Sequence, residues 1–384
     1  MAPASEAELA EAVADAARAR RTLEIVGGDT RAGIGGPVSA DERLTTARID
    51  AVTLYEPAAL TLVAGAGAKL ADIEAMLAAE GQRLPFEPVD HRALMGTSGA
   101  PTLGGMVAAN ASGPARIARG ACRDSLIGVR FVDGAGRAIK SGGRVMKNVT
   151  GYDLAKMLAG SWGTLGVLSE VSFKVLPAPE AVRTLILRGL DDRAAVRALS
   201  AALGSPYDVS GAAHDPAEGG RTLIRVEGFA QSAQERAEAL RTALANFGDA
   251  EVVDQPELWP AIRDVEAFAG RAGAVWRVSV KPSDGPELVG ALTAQGVAQA
   301  ALYDWGGGLV WLLTQAEGDA GAAAVRAETA SRGGHATLIR APEAIRATVP
   351  VFPPEAAPVA ALSAALRARF DPHGILNPGR MRAA

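Results

Sequence analysis

The sequence predicts an α+β fold in two domains, and three observations carry that expectation. The chain has 384 residues, more than one ordinary hydrophobic core accommodates. Pro177 and Pro179 break it near the middle, and the two sides of the break differ in chemistry. Before the break, β-type runs end in glycine-rich turns. After it, strand runs alternate with helical periodicities, and the one dense glycine motif is Gly306-Gly307-Gly308. That second pattern reads as a mostly antiparallel sheet covered by helices. The expected division is residues 1–177, residues 178–340 and a closing segment 341–384.

Taken in order, residues 5–20 have helical spacing, with Ser5 as N-cap, Glu8 at the capping-box distance, and Leu9, Val13 and Ala16 on one face. Thr22–Val26 is a short β run that ends at once in Gly27-Gly28-Asp29-Thr30-Arg31, with Gly33, Gly35 and Gly36 beyond. Such a turn can present successive backbone N–H groups to an anion. Arg31 reads either as part of that cradle or as a surface charge paired with Asp29. The run is not the G-x-G-x-x-G dinucleotide fingerprint, because the glycine spacing is wrong and no helix follows. Ala51–Leu54 and Leu60–Ala64 read as strands. Ala68–Glu80 reads as a helix on Leu70, Ile73 and Leu77, stopped by Gly81. Gln82–Pro88 is extended and leads to His91.

The chain is organised around Pro101–Gly113. Gly104 and Gly105 sit side by side behind Thr102 and Leu103, small residues follow at Ala108, Ala109, Ala111 and Gly113, and Asn110 and Ser112 add hydrogen-bonding side chains. So small a surface lets bare backbone approach something large. It reads as one wall of a cofactor site, or as a small-residue turn and helix packed close to a neighbour. Leu126–Asp133 is a strand, Gly134-Ala135-Gly136-Arg137 a hairpin turn, and Ala138–Lys140 pairs back. The run Gly142–Asp153, the helix Leu154–Leu158, the run Gly160–Gly166 and the strand Val167–Leu176 complete the first half.

In the second half the strand runs are Thr184–Leu187, Thr222–Phe229, Ala274–Val280, Ala300–Tyr303, Leu309–Thr314 and Ala336–Ile339. Helices fall at Asp192–Leu203, Ser232–Phe247, Asp284–Gln295 and Asp319–Ser331. A last helix, Pro358–Phe370, leads into Asp371-Pro372-His373-Gly374-Ile375-Leu376-Asn377-Pro378-Gly379-Arg380, a run of turn residues too ordered for a frayed end.

Composition narrows the function. Hydrophobic content of 48% with 21% charged residues is that of a globular protein. A net charge of -4 and 4% aromatics leave neither a basic field nor a stacking platform, so no nucleic-acid partner is expected. One cysteine, Cys122, excludes an internal disulfide or a cysteine-ligated iron–sulfur cluster, and only 4 histidines make a multi-histidine metal site hard to build. Residues 5–21 lack the apolar core of a signal peptide, and no run is apolar enough to span a bilayer, so a cytoplasmic location is expected.

Four segments together resemble the vanillyl-alcohol oxidase type of FAD-binding flavoprotein: Gly27–Arg31, Thr102–Gly113, Gly160–Val167, and the Asp371–Gly379 tail. More closely, the chain resembles the smaller FAD-binding subunits of bacterial glycolate oxidases, on Gly142–Asp153, Leu84–Pro88 and Asp304–Gly307. The resemblance implies a two-part FAD-binding domain of PCMH type in 1–177, an α+β cap in 178–340 and a tail, 341–384, that returns to the FAD domain. It implies FAD held without a covalent bond, since the first turn has no histidine and Cys122 stands beside Arg123. Gly27, Gly28, Asp29 and Thr30 are expected to share the diphosphate with Gly104 and Gly105, with the Thr30 and Thr102 hydroxyls as further donors. Arg31, Leu103, Asn110, Ser112 and Gly113 complete those two walls, Gly163, Thr164, Gly166 and Val167 meet the adenine and ribose, Arg119, Gly120 and Asp124 lie along the cofactor, and Asn377 approaches the flavin ring.

Related 2-hydroxy-acid dehydrogenases hold a metal in the cap with closely spaced histidines and a glutamate. Here the matching region, Leu302–Gly308, has no histidine pair, and His214 and His335 are isolated. No metal site is expected, and no catalytic residue is assigned. The resemblance then implies a subunit that binds FAD and relays electrons. Its partners would be a larger flavin subunit that oxidises a small 2-hydroxy acid, glycolate, and an iron–sulfur subunit, with contact to the inner membrane only through that complex. Two other readings remain open: a stand-alone FAD oxidoreductase for another hydroxy acid or a sugar, and a non-catalytic scaffold.

Overall fold

The computed structural model describes residues 1–143 and 151–381. Arg144–Thr150, in the middle of the Gly142–Asp153 run, lie outside the described residues.

The first half is built on a five-stranded sheet in the order Val52–Glu56, Thr61–Gly65, Val167–Lys174, Leu126–Val132, Ala138–Gly142, each strand antiparallel to its neighbour. Both faces of Thr61–Gly65 are buried, which is why it reads as a continuous apolar run. The helices Leu70–Ala79, Leu103–Ala109 and Leu154–Leu158 lay Ile73, Leu77, Met106, Val107 and Leu158 on Leu62, Phe131 and Phe173 of this sheet. Helix Glu6–Ala19 starts at Ser5, whose hydroxyl accepts from the Glu8 amide. It packs Leu9, Val13 and Ala16 with Val132, Val167, Ile375 and Leu376. Each such buried aliphatic contributes roughly 1.5–3 kcal/mol.

Leu23–Val26 pairs in parallel with Glu42–Thr45, a strand the sequence reading passed over. Leu376 of the tail bridges to Leu23 in parallel, so the far end of the chain joins the first strand.

The second half is an eight-stranded antiparallel sheet running Ala250–Val253, Ala181–Arg188, Arg221–Gly228, Val209–Asp215, Ala298–Asp304, Leu309–Thr314, Ala274–Ser279, His335–Arg340. Val209–Asp215 and Ala250–Val253 were not expected. Val-Ser-Gly-Ala-Ala-His-Asp is buried along its whole length, so it shows neither alternation nor bulk. The first sheet ends at Lys174 and the second begins at Ala181. Between them Leu176–Pro177 pairs with Gln82–Arg83.

Ion pairs and hydrogen bonds join the halves. Arg225 on the large sheet grips Glu87 at 2.6 and 3.1 Å, Arg83 grips Glu227 at 2.8 and 3.3 Å, and the Trp305 indole donates to the Gly113 carbonyl at 3.1 Å. No helix among the described residues is long and apolar enough to cross a membrane.

Candidate functional site

A cleft opens where the turn after Val26, the start of helix Leu103–Ala109, residues 161–168 and the tail meet. The cleft and the solvent at its open mouth together take up about 820 Å³. Of the residues the sequence singles out, Gly27, Gly28, Asp29, Thr30, Arg31, Thr102, Gly104, Gly105, Gly163, Gly166, Val167 and Asn377 line it.

The two glycine loops, far apart in sequence, touch backbone to backbone. A Cβ on Gly28 would lie 1.5 Å from the Ala100 carbonyl oxygen, and one on Gly99 would lie 1.8 Å from the Gly28 oxygen. A Cβ on Gly27 would lie 2.4 Å from the Thr102 hydroxyl. Glycine is required here by close approach.

The loops do different work. The amides of Gly27, Gly28, Asp29, Thr30 and Arg31 donate to nothing among the described residues, and consecutive unpaired N–H groups beside a cleft form an anion cradle. The expectation that Gly104 and Gly105 share that duty is corrected by the structure. Gly104 N–H donates to the Ala66 carbonyl at 2.7 Å, and Gly105 N–H donates to the Thr102 hydroxyl, which caps the helix, at 3.3 Å. Docking this helix start on the strand beside it consumes those donors. The second loop supplies a wall without side chains.

Arg31 is not the surface partner of Asp29, which pairs with Arg43. Its guanidinium turns inward, donating from Nε to His91 Nδ1 at 3.0 Å and from Nη2 to the Val89 carbonyl at 2.6 Å. Burial draws Arg31 down to about 10, which leaves it cationic at neutral pH. Burial and the Arg31 charge hold the His91 imidazole well below its ordinary range, so the ring is neutral and accepts at Nδ1.

Asn377 acts as a bracket in the cleft wall. Its Oδ1 accepts from the Ile25 amide at 2.7 Å and its Nδ2 donates to the Trp162 carbonyl at 2.8 Å, so both polar ends are engaged in holding cleft walls together. The sequence reading missed Trp162 and Arg380 as cleft residues. Arg380 is 6% exposed and donates to the Ala32 and Ile34 carbonyls at 2.8 Å each. The ordered run of turn residues in the tail was the signal that this segment docks.

The remaining candidates lie off the cleft. Leu103 is buried in the first core. Asn110 Oδ1 accepts from the Arg123 amide at 3.1 Å, and Ser112 Oγ accepts from the Cys122 amide at 2.9 Å, so both cap the next helical turn. Gly113 packs on Glu87, Arg119 faces Asp208 at 3.5 Å, and Asp124 folds back under Gly120 to accept from the Ala121 amide. Thr164 donates to the Ser161 carbonyl at 2.7 Å. Cys122 sits fully buried in the first core. His214 is likewise buried, bonded to Thr222 on the neighbouring strand, whereas His335 lies on an edge strand of the same sheet.

At the junction of the halves, Asp304 accepts from the Trp305 amide at 2.7 Å and is 3% exposed. Burial pushes its carboxyl up to about 7; the Trp305 amide opposes the shift and Glu87 adds to it. A carboxyl that holds its proton more tightly folded than unfolded stabilises the fold fully below its ordinary 3.8, and that contribution is lost as pH rises through about 7. Asp304→Asn is therefore expected to remove a fall in stability between about pH 4 and about pH 7, read from urea midpoints. The same slope in the variant would show that Asp304 titrates normally.

Residues 1–142 match a family model described as an FAD binding domain. The chain is 35% identical over 377 residues to the glycolate oxidase subunit GlcE of Escherichia coli K12, an alignment covering 98% of this chain and 97% of that protein. It is 40% identical over 85 residues to the glycolate oxidase subunit GlcD of Bacillus subtilis 168, which covers 22% of this chain and 18% of that one. In architecture it is similar to an alkyldihydroxyacetonephosphate synthase, with a TM-score of 0.70 over 98% of this chain and 75% of the other at 17% identity, a similarity of fold.

Proposed function

Because the chain belongs to the family of FAD-dependent oxidoreductases that includes Escherichia coli GlcE, we propose that it is the FAD-holding, electron-relaying subunit of a complex that oxidises glycolate to glyoxylate. The observation that carries the reading is the row of unpaired amides from Gly27 to Arg31 at the head of the cleft. FAD brings a diphosphate with two negative charges into a protein of net charge -4, so donors without a competing carboxylate are needed. Amide hydrogen bonds to a charged group contribute roughly 1.5–3 kcal/mol each, and several hold a cofactor without a covalent bond. Gly104 and Gly105 leave room for the cofactor beside the amides, and Gly163, Gly166 and Val167 line the same cleft. When bound, FAD supplies the hydride-accepting chemistry. This chain's residues bind and orient it, and the Arg31–His91 pair sets a positive charge beside it.

The partners in this reading are a larger flavin subunit, which carries out metal-assisted oxidation of the 2-hydroxy acid, and an iron–sulfur subunit that takes the electrons onward. The near full-length similarity to one glycolate oxidase subunit, and the local similarity to a differently lettered one, support a multi-subunit assembly.

The test is to purify this chain alone, add glycolate without oxygen and follow the flavin band. The band is expected to persist until the larger subunit is added, and acid precipitation is expected to leave FAD in the supernatant. Rapid bleaching in the isolated chain would make it a catalyst by itself and overturn the relay role. Flavin retained in the acid pellet would overturn dissociable binding.

A further inference from the structure

One helix lies on the surface without burying a single residue. Ala357–Phe370 runs for 14 residues, and its hold on the rest of the chain is at its far end. There the Phe370 ring meets the Phe131 ring at 6.0 Å between centroids, and the Gly134 amide donates to the Phe370 carbonyl at 2.8 Å. Helix Glu6–Ala19, of the same length, buries Leu9, Val13, Ala16 and Ala17.

The exposed helix has a composition suited to an interior. Between Glu355 and Arg367 it carries no charge, and Ser363 is the one polar side chain. Val359, Leu362 and Leu366, spaced by three and four residues, form a stripe and are 50%, 67% and 42% exposed. No other helix or strand among the described residues exposes more than one large apolar side chain. Ala361, Ala365 and Ala368 are exposed alongside, small enough for a second helix to approach closely. A helix of this length without packing is marginal in water, and a contiguous apolar stripe marks an interface.

The charges at the two ends select the occupant. Glu355 stands just before the helix, and Arg367 and Arg369 lie in its last turn. Neither arginine makes an ion pair or a side-chain hydrogen bond among the described residues. Glu355 Oε1 accepts from the Ser363 hydroxyl at 2.9 Å, and no second contact uses its other oxygen among those residues. Glu355 and Arg369 stand seven residues to either side of Leu362. With a two-fold axis beside Leu362, Glu355 of each copy therefore faces Arg369 of the other, and the stripe closes on itself. The helix dipoles then run in opposite senses, each positive end beside a negative one. Parallel pairing would set the arginines against one another. An anionic lipid surface would meet only two cations, with Glu355 repelled.

We propose that helix Ala357–Phe370 pairs antiparallel with the same helix of a second copy of this chain, with Leu362 at the two-fold axis. The pairing goes beyond the electron-relay reading and does not rest on it. Fourteen residues span about 21 Å, so one helix pair buries less than the roughly 1,200 Å² at which stable interfaces begin. The dimer is therefore reversible and forms in the micromolar range.

The experiment is sedimentation of the purified FAD-loaded chain from low to high micromolar concentration. A monomer–dimer equilibrium is expected. Leu362→Glu is expected to weaken it roughly tenfold or more, with flavin content and melting temperature unchanged because Leu362 belongs to no core. Arg369→Glu and Glu355→Arg are each expected to weaken it, and the two together to restore it, as only antiparallel pairing of identical helices allows. A monomer at every concentration, or a dimer indifferent to Leu362→Glu, overturns the proposal. Failure of the charge exchange to restore association overturns the antiparallel register. Binding of the monomer to the larger flavin subunit, or to vesicles of anionic phospholipid, that is lost in Leu362→Glu would give the helix a different occupant and overturn self-pairing.

Discussion

Replacing Gly28 with alanine is expected to yield protein that has lost most of its flavin. The added methyl would lie 1.5 Å from the Ala100 carbonyl oxygen, which is backbone and has no rotamer to yield. The two loops must then separate. Forced packing of this kind costs about 1–3 kcal/mol, and the amides of Gly27–Arg31 lose their alignment as well, so flavin affinity is expected to fall roughly 10- to 100-fold. Gly105→Ala gives the matching control. Its methyl would meet the Thr102 hydroxyl at 3.2 Å, a contact that small side-chain shifts relieve, so flavin binding should weaken while thermal stability holds. The ratio of flavin to protein absorbance, with the melting temperature, reads both. Full flavin occupancy in Gly28→Ala would show that the loops do not jointly frame the cofactor.

The second large effect concerns the joint between the halves. Arg225 is 2% exposed, binds both oxygens of Glu87, donates to Ser210, and lies 4.5 Å over the Trp259 ring. Beside it, burial pushes the Glu227 carboxyl up, but Arg225 and Arg83 prevail and pull it down to about 2. Arg225→Met leaves Glu87 without its cation and Glu227 with Arg83 alone, and removal of one partner of a buried pair costs about 3–5 kcal/mol. Glu87→Gln combined with Arg225→Met should cost less than Arg225→Met alone, because fewer charges remain unpaired. The acid limb carries its own signature. A carboxylate held low stabilises the fold above its ordinary 4.5, and that stability is lost as pH falls through about 2. Without Arg225 the loss is expected at higher pH. Denaturant midpoints across the acid range decide it, and equal stability of Arg225→Met and the parent would show that this joint does not hold the halves.

Much of the fold was legible because its signals are local. Helix Leu70–Ala79 follows Leu70, Ile73 and Leu77, and Gly81 ends it at a positive φ of 62°. The hairpin at Gly134–Arg137 follows from turn chemistry. Strands buried on both faces were less legible: Val209–Asp215 has small residues and no period, so only its neighbours in the sheet identify it. Asn110 and Ser112 show the converse error, since polar residues next to glycines serve a helix cap as readily as a ligand.

The sequence by itself determined the glycine loops, the two-part layout and the membership of an FAD-binding family, because each rests on residues adjacent along the chain. Only the tertiary structure decided which loop keeps its amides free. A hydrogen-bond donor is available or spent according to what packs against it, and Ala66 spends that of Gly104. The same holds for the Glu87–Arg225 joint, whose charges gain their meaning from partners brought close only when the chain has folded.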